Sequence, residues 1–162
     1  MPCHGLPVFC IRERIEWQEN SWHASCESNV MPLNDYVIVV ADNDPDICTS
    51  YAMLFKAKGY VVYTCADGVQ ALTLCRQFRP AVALLDLHMP LLDGFETARR
   101  IRADPDLADV RVVAVTGFSD ERSSALAWEA GFHEFLPKPV PASMLLAMVR
   151  PTREMQGIVE RN

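Results

Sequence analysis

The sequence predicts an α/β domain: a five-stranded parallel sheet with helices on both faces. Three observations lead there. Strand and helix patterns alternate five times between residues 36 and 150, and alternation with short loops gives a parallel sheet whose crossovers cover both faces. The run Ala81-Val82-Ala83-Leu84-Leu85 ahead of Asp86 is apolar throughout, as in a strand buried on both sides. Polar residues close four of the strands, at Asp42-Asn43-Asp44, Asp86, Thr116-Gly117 and Lys138-Pro139, and open α/β sheets bind their ligands at that carboxyl edge.

The elements follow in order. Tyr36 to Ala41 is an apolar strand. Asp44 and Pro45 then stand as N-cap and first residue of a helix that presents Ile47, Tyr51, Leu54 and Phe55 and ends near Gly59. Tyr60 to Thr64 is the second strand. Asp67 caps a helix carrying Val69, Leu72, Leu74 and Phe78, stopped by Pro80. After the third strand, residues 81–86, a helix over 94–103 turns Phe95, Ala98 and Ile101 inward. The fourth strand is residues 110–115, the fourth helix 120–130 closed by Gly131, and the fifth strand 132–136. The last helix starts at Pro141, runs to Val149 and stops before Pro151, with Met144 and Met148 read as core.

Residues 1–35 break this regularity, mixing two tryptophans, three cysteines and two histidines without a clear period. They read as a mobile extension or a mis-assigned start ahead of a domain over 36–150, with 151–162 as a short tail. Only Ile11 to Asn20 suits a short helix. Cys3, His4, Cys10, His23 and Cys26 lack zinc-ligand spacing.

The chain has 162 residues, is 50% hydrophobic and carries a net charge of -6. One domain with a real core fits that length. The acidic balance argues against nucleic acid and anionic membrane surfaces as partners. No apolar run approaches the ~20 residues of a membrane helix, and no signal peptide is visible. A cytoplasmic protein with reduced, buried cysteines is the expectation.

A parallel sheet brings the strand ends together whatever their separation in sequence. Two carboxylates there repel by roughly 4 kcal/mol at 4 Å in an effective dielectric of 20. A hard divalent cation relieves that cost, and Mg²⁺ takes carboxylate, phosphate and water oxygens. A carboxylate beside Mg²⁺, a hydroxyl and a lysine is a phosphoryl-accepting site, which would leave an acyl phosphate on Asp86.

Asp42-Asn43-Asp44-Pro45, Leu85-Asp86-Leu87-His88-Met89-Pro90, Asp93-Gly94, Val115-Thr116-Gly117 and Leu136-Pro137-Lys138-Pro139 together resemble the receiver domain of two-component response regulators. The resemblance covers about residues 36–150. It implies a flavodoxin-like sheet of order 2-1-3-4-5, with Asp86 as phosphoacceptor. It further implies Mg²⁺ held by Asp42, Asn43, Asp86 and the His88 backbone carbonyl. By the same resemblance Thr116 is the switch hydroxyl, Lys138 the cation on the phosphoryl group, Phe135 the switch aromatic, and Lys138–Pro139 a cis bond. The donor would be a sensor histidine kinase or a histidine phosphotransfer protein. The phosphorylated protein would then switch its affinity for a downstream protein through the face of the fourth helix, fifth strand and fifth helix. Such a protein assists its own phosphorylation and dephosphorylation but is not otherwise an enzyme.

One position departs from the family: Asn43 stands where Asp is usual, so the site loses a negative charge and is expected to hold Mg²⁺ less tightly. Phe135 replaces a usual Tyr. With only residues 151–162 after Arg150, a stand-alone receiver is expected. A phosphorelay shuttle and a phosphorylation-independent interaction module of the same fold are the alternatives. An aspartyl-phosphate phosphatase is disfavoured, because His88 sits where its general acid would be. Asp44 and Asp93 read as helix caps.

Overall fold

The computed structural model describes residues 36–117 and 120–150. The proposed extension, its short helix and its cysteines, and the tail from residue 151, lie outside the described residues. Five strands, β1 (Val37–Ala41), β2 (Val61–Cys65), β3 (Val82–Leu85), β4 (Arg111–Thr116) and β5 (Glu134–Pro137), alternate with helices. The helices are α1 (Pro45–Lys56), α2 (Gly68–Phe78), α3 (Gly94–Ala103), α4 (Glu121–Ala130) and α5 (Ala142–Val149), and a 3-10 turn at Pro105–Leu107 follows α3. All strand pairs are parallel, in the order β2-β1-β3-β4-β5, as expected.

Alternating side chains of each strand build two cores. Val39, Ala41, Ala83, Leu85, Val112 and Ala114 pack under α2, α3 and α4. Ile38, Val40, Val82, Leu84, Val113 and Val115 pack under α1 and α5. Both faces of the three central strands are therefore dry, which explains their unbroken apolar sequence.

Helices α1 to α4 start where a carboxylate meets free N–H groups. Asp44 accepts from the N–H groups of Asp46 at 2.9 Å and Ile47 at 3.4 Å. Asp67, Asp93 and Asp120 accept from the N–H groups of Gln70, Glu96 and Ser123 at 2.7–2.8 Å. Each such cap is worth about 1 kcal/mol. Gly131, at φ 92°, closes α4 in the left-handed conformation.

Several inward faces differ from those the apolar pattern suggests. In α1 the buried residues are Cys48, Ala52 and Phe55, with Ile47, Tyr51 and Leu54 only half-buried. In α2 they are Gly68, Ala71, Leu72 and Cys75, while Val69 is 48% exposed and Leu74 and Phe78 flank the stripe. In α3 Gly94 and Thr97 join Ala98 and Ile101, and Phe95 is half-buried. Small residues face the sheet because they let the helix approach closely, and the bulky ones pack beside the contact. Pro141 is the residue before α5 rather than its first, and Met144 is 44% exposed rather than core. Cys48, Cys65 and Cys75 are buried free thiols, as expected of the described cysteines.

Gly94 lies tight against the sheet's carboxyl edge. A Cβ there would overlap the Asp86 carbonyl oxygen and lie 2.8 Å from Leu87 Cα. Both are backbone atoms that cannot swing away. Gly94→Ala is expected to cost about 2 kcal/mol of folding stability, measured as a lowered urea midpoint with an unchanged slope.

Candidate functional site

The residues beyond the strand ends converge at one edge. Asp42 follows β1, and Asp86 follows β3 with its N–H donating to the Ala41 carbonyl at 2.8 Å. Thr116 ends β4, and its carbonyl accepts from the Lys138 N–H at 2.8 Å. The Lys138–Pro139 peptide bond is cis. The two backbone hydrogen bonds fix these strand ends where groups 96 positions apart meet.

Lys138 Nζ lies 2.6 Å from Asp42 Oδ2 and 3.5 Å from Asp86 Oδ1. The other oxygen of Asp42, Oδ1, accepts from the Asp44 N–H at 2.9 Å. Asp42 is therefore held at both oxygens, while Asp86 keeps one oxygen outside the ion pair. Both acids are buried, at 3% and 7% exposure, and Thr116 is fully buried. Asn43 and His88 lie at the same edge with exposed side chains. Phe135 is half-buried against the core under α4.

Burial drives the electrostatics. It pushes the Asp86 carboxyl above its ordinary value; the Lys138 ammonium pulls it back, and Asp42 adds to the rise. Burial works against the Lys138 ammonium, but the hydrogen bond to Asp42 and the charges of Asp86 and Asp42 raise it above the usual lysine value. Two carboxyl groups thus face one ammonium.

That donor set suits a small hard cation. Asp42 and Asp86 would supply carboxylate oxygens, Asn43 an amide oxygen and His88 a backbone carbonyl, with neither thiol nor imidazole required. Among the described residues no group of three His, Cys, Asp or Glu side chains forms a metal cluster. One contact was not legible in the sequence. The Cys48 thiol donates to the Asp42 carbonyl at 3.4 Å and lies 3.6 Å from the Cys65 carbonyl. It sits in a groove lined by Asn43, Thr49 and Thr64 as well. Nothing in the helical period distinguishes such a thiol from a core residue.

The sheet order and the acid–lysine edge define a doubly wound domain of the receiver type. Residues 38–150 match the family model of the response regulator receiver domain, and the chain belongs to that family. A DNA-binding dual master transcriptional regulator of Synechocystis is 31% identical over 113 residues, 70% of this chain and 47% of its own length. The DNA-binding response regulator MtrA of Mycolicibacterium smegmatis is 34% identical, over 70% of this chain and 48% of its own. The chain thus spans about half the length of the curated relatives it matches. Among solved structures, the receiver domain of a Pseudomonas aeruginosa sensor histidine kinase, with a magnesium ion in its active-site cleft, aligns with TM-score 0.67 and 26% identity, covering 75% of this chain and 98% of that one. The Vibrio cholerae chemotaxis protein CheY4 shares the fold at TM-score 0.67 and 24% identity, over 70% of this chain and 95% of its own. Among the described residues no helix is long and apolar enough to cross a membrane.

A carboxyl raised by burial is harder to ionise folded than unfolded. Its ionisation therefore lowers folding stability as pH rises past the ordinary carboxylate value, and fully so above the raised folded value. Metal-free Asp86→Asn is expected to melt above wild type at neutral pH. The gap should narrow toward acid as Asp86 takes up its proton, a trend that paired melting curves across pH would record.

Proposed function

We propose that the protein is a phosphoryl-accepting switch of two-component signalling, with Asp86 as the acceptor. The observation that carries this reading is the Lys138 ammonium, 2.6 Å from Asp42 and 3.5 Å from Asp86. It places a fixed cation beside a carboxylate whose second oxygen stays outside that pair. Asp86 would attack phosphorus in line; a phosphorus–oxygen bond forms, and the bond to the donor's imidazole nitrogen breaks as that nitrogen takes up a proton. Lys138 would neutralise charge on the transferred oxygens, and the Thr116 hydroxyl would donate to one of them. Mg²⁺ held by Asp42, Asn43, Asp86 and the His88 carbonyl would supply the remaining positive charge when bound.

The donor in this reading is a sensor histidine kinase or histidine phosphotransfer protein, and the readout is a protein target in the cytoplasm. The protein would speed its own labelling and hydrolysis and act on no other substrate. Thr116 and Phe135 would carry the acyl phosphate's charge to the face formed by α4, β5 and α5, a two-state element biased by one local change. Incubation with acetyl phosphate and Mg²⁺ should add one phosphoryl group by intact mass. Asp86→Ala should abolish the addition, and persistence of the label there would refute the assignment.

The amide at position 43 supports a weak metal site. A full charge about 4 Å from a divalent ion contributes about 2 kcal/mol even at the dielectric of water. Asn43→Asp should therefore tighten Mg²⁺ about tenfold or more by calorimetry. Equal affinities in the two proteins would remove the charge argument.

A further inference from the structure

The first rung of the β4–β5 pair is closed by a side chain. His133, one residue before β5, donates its N–H to the Val112 carbonyl at 2.8 Å. The Val112 N–H in turn donates to His133 Nδ1 at 3.0 Å. In a regular parallel ladder that N–H would meet a backbone carbonyl. Here the chain has just left α4 through Gly131, at φ 92°, and the ring nitrogen takes the carbonyl's place. Regular pairing starts one step on, at Val113 and Glu134. Val112 is fully buried and belongs to the core under α2, α3 and α4, so its N–H is out of reach of water.

Accepting that bond fixes the ring's tautomer. Nδ1 carries no proton, and Nε2 carries the hydrogen of the neutral ring. A further proton can go only to Nδ1, and the ring then has no acceptor left. His133 is exposed, so solvent protons reach it. The charged side chains that act on the ring come one each from α3, β4 and β5: Arg102, Arg111 and Glu134. The two arginines oppose a charged ring, and Glu134 already accepts from Arg111 at 3.2 Å. Arg102 is held in place. Its guanidinium donates to the carbonyls of Ala108, at 3.2 Å, and Val110. Its Nε is buried with no hydrogen-bond partner among the described residues, which leaves it poorly placed to tolerate a second cation. Partial burial and the Arg102 charge hold the imidazole below the ordinary histidine value.

We propose that His133 is a proton-operated latch on the β4–β5 pair. Neutral, its Nδ1 holds the Val112 N–H and closes the amino end of the pair. Protonated at Nδ1, the ring gives up that hydrogen bond and turns to solvent, and the start of β5 parts from β4 about Gly131. The input is acid, and it enters at the edge of the sheet opposite Asp86. The inference therefore goes beyond the phosphoacceptor reading and does not depend on it. β4 ends in Thr116 and β5 leads into Lys138, so acid and acyl phosphate would act on opposite ends of one strand pair.

The test follows the full chain by nitrogen-resolved NMR from about pH 8 to about pH 5. At the alkaline end His133 should carry hydrogen on Nε2 and none on Nδ1. Its titration midpoint should lie below the ordinary value of about 6.5, and the Val112 amide resonance should move with the same midpoint. Hydrogen-exchange protection of the Val112 amide, taken relative to Leu84 in β3, should fall about tenfold across that midpoint. His133→Asn keeps a side-chain acceptor that does not titrate, so its Val112 protection should stay flat. A folded pKa below the unfolded one gives stability that is complete above the ordinary histidine value and is lost as pH falls through the lowered folded value. Wild type should therefore melt progressively below His133→Asn as pH falls through that window. A proton on Nδ1 in the neutral protein, a midpoint at or above the ordinary value, or unchanged Val112 protection overturns the latch. So does a loss of Val112 protection that persists in His133→Asn, which would assign the acid response to another group. The tautomer and the midpoint are read in wild type, so they decide the question even where His133→Asn fails to fold.

Discussion

The Lys138 ammonium between Asp42 and Asp86 is the interaction on which the rest of the site depends. Without it, two buried carboxylates would share one edge of the sheet and repel. With it, Asp42 is satisfied at both oxygens, by Lys138 and by the Asp44 N–H. Asp86 is held more loosely, at 3.5 Å from the same ammonium. The asymmetry separates a carboxylate that is fixed from one whose second oxygen is outside the pair. Desolvation keeps Asp86 above its ordinary pKa despite the cation, so the folded chain pays for ionising this group, as functional sites commonly do.

The placement of that ammonium is a consequence of packing far from it. Asp42 and Asp86 follow, and Thr116 ends, strands whose side chains are buried on both faces, and the parallel register leaves little room to slip. Helix approach is set by small residues: Ala52 on α1, Ala71 on α2, Ala98 on α3 and Ala127 on α4 are all buried. Gly94 brings α3 against the backbone of Asp86 itself. Larger side chains at these points would lift the helices and loosen the loops that carry the acids. Sheet and helices thereby bring two carboxylates to one ammonium, at 2.6 and 3.5 Å.

Much of this was legible before the structure. Asp44, Asp67 and Asp93 announced helix starts because a short acid followed by a helical pattern has few other uses. The meeting of Asp42, Asp86 and Lys138 followed from topology alone, since a parallel sheet aligns its strand ends. Exposure was less legible. The apolar period marks which residues could face inward but not how close the helix lies, so it suggests core for Met144, which is exposed, and passes over Gly68, Thr97 and Cys48, which are buried. Trp128 went unremarked for a related reason. On a helix whose buried residues are Ala127 and Ala130, a neighbouring Trp matches the same coarse pattern, and only its 53% exposure, over a groove between α4 and β5, shows that it points outward.

The same strand ties that groove to the acids. Along β5 the side chains alternate: Phe135 lies against the core under α4, Leu136 against the core under α1 and α5, and Pro137 lines the groove. The next residue is Lys138, whose N–H is bonded to the Thr116 carbonyl. A change in the charge that Lys138 faces must be absorbed by this short run or by the Thr116 end of β4, because the flanking core is close-packed and does not deform continuously. Phe135, half-buried and adjoining open space on the α4 side, is the side chain in that run with room to move. In the proposed switch, the acyl phosphate would alter the pull on Lys138 and Thr116, and the groove is the surface where the adjustment would emerge.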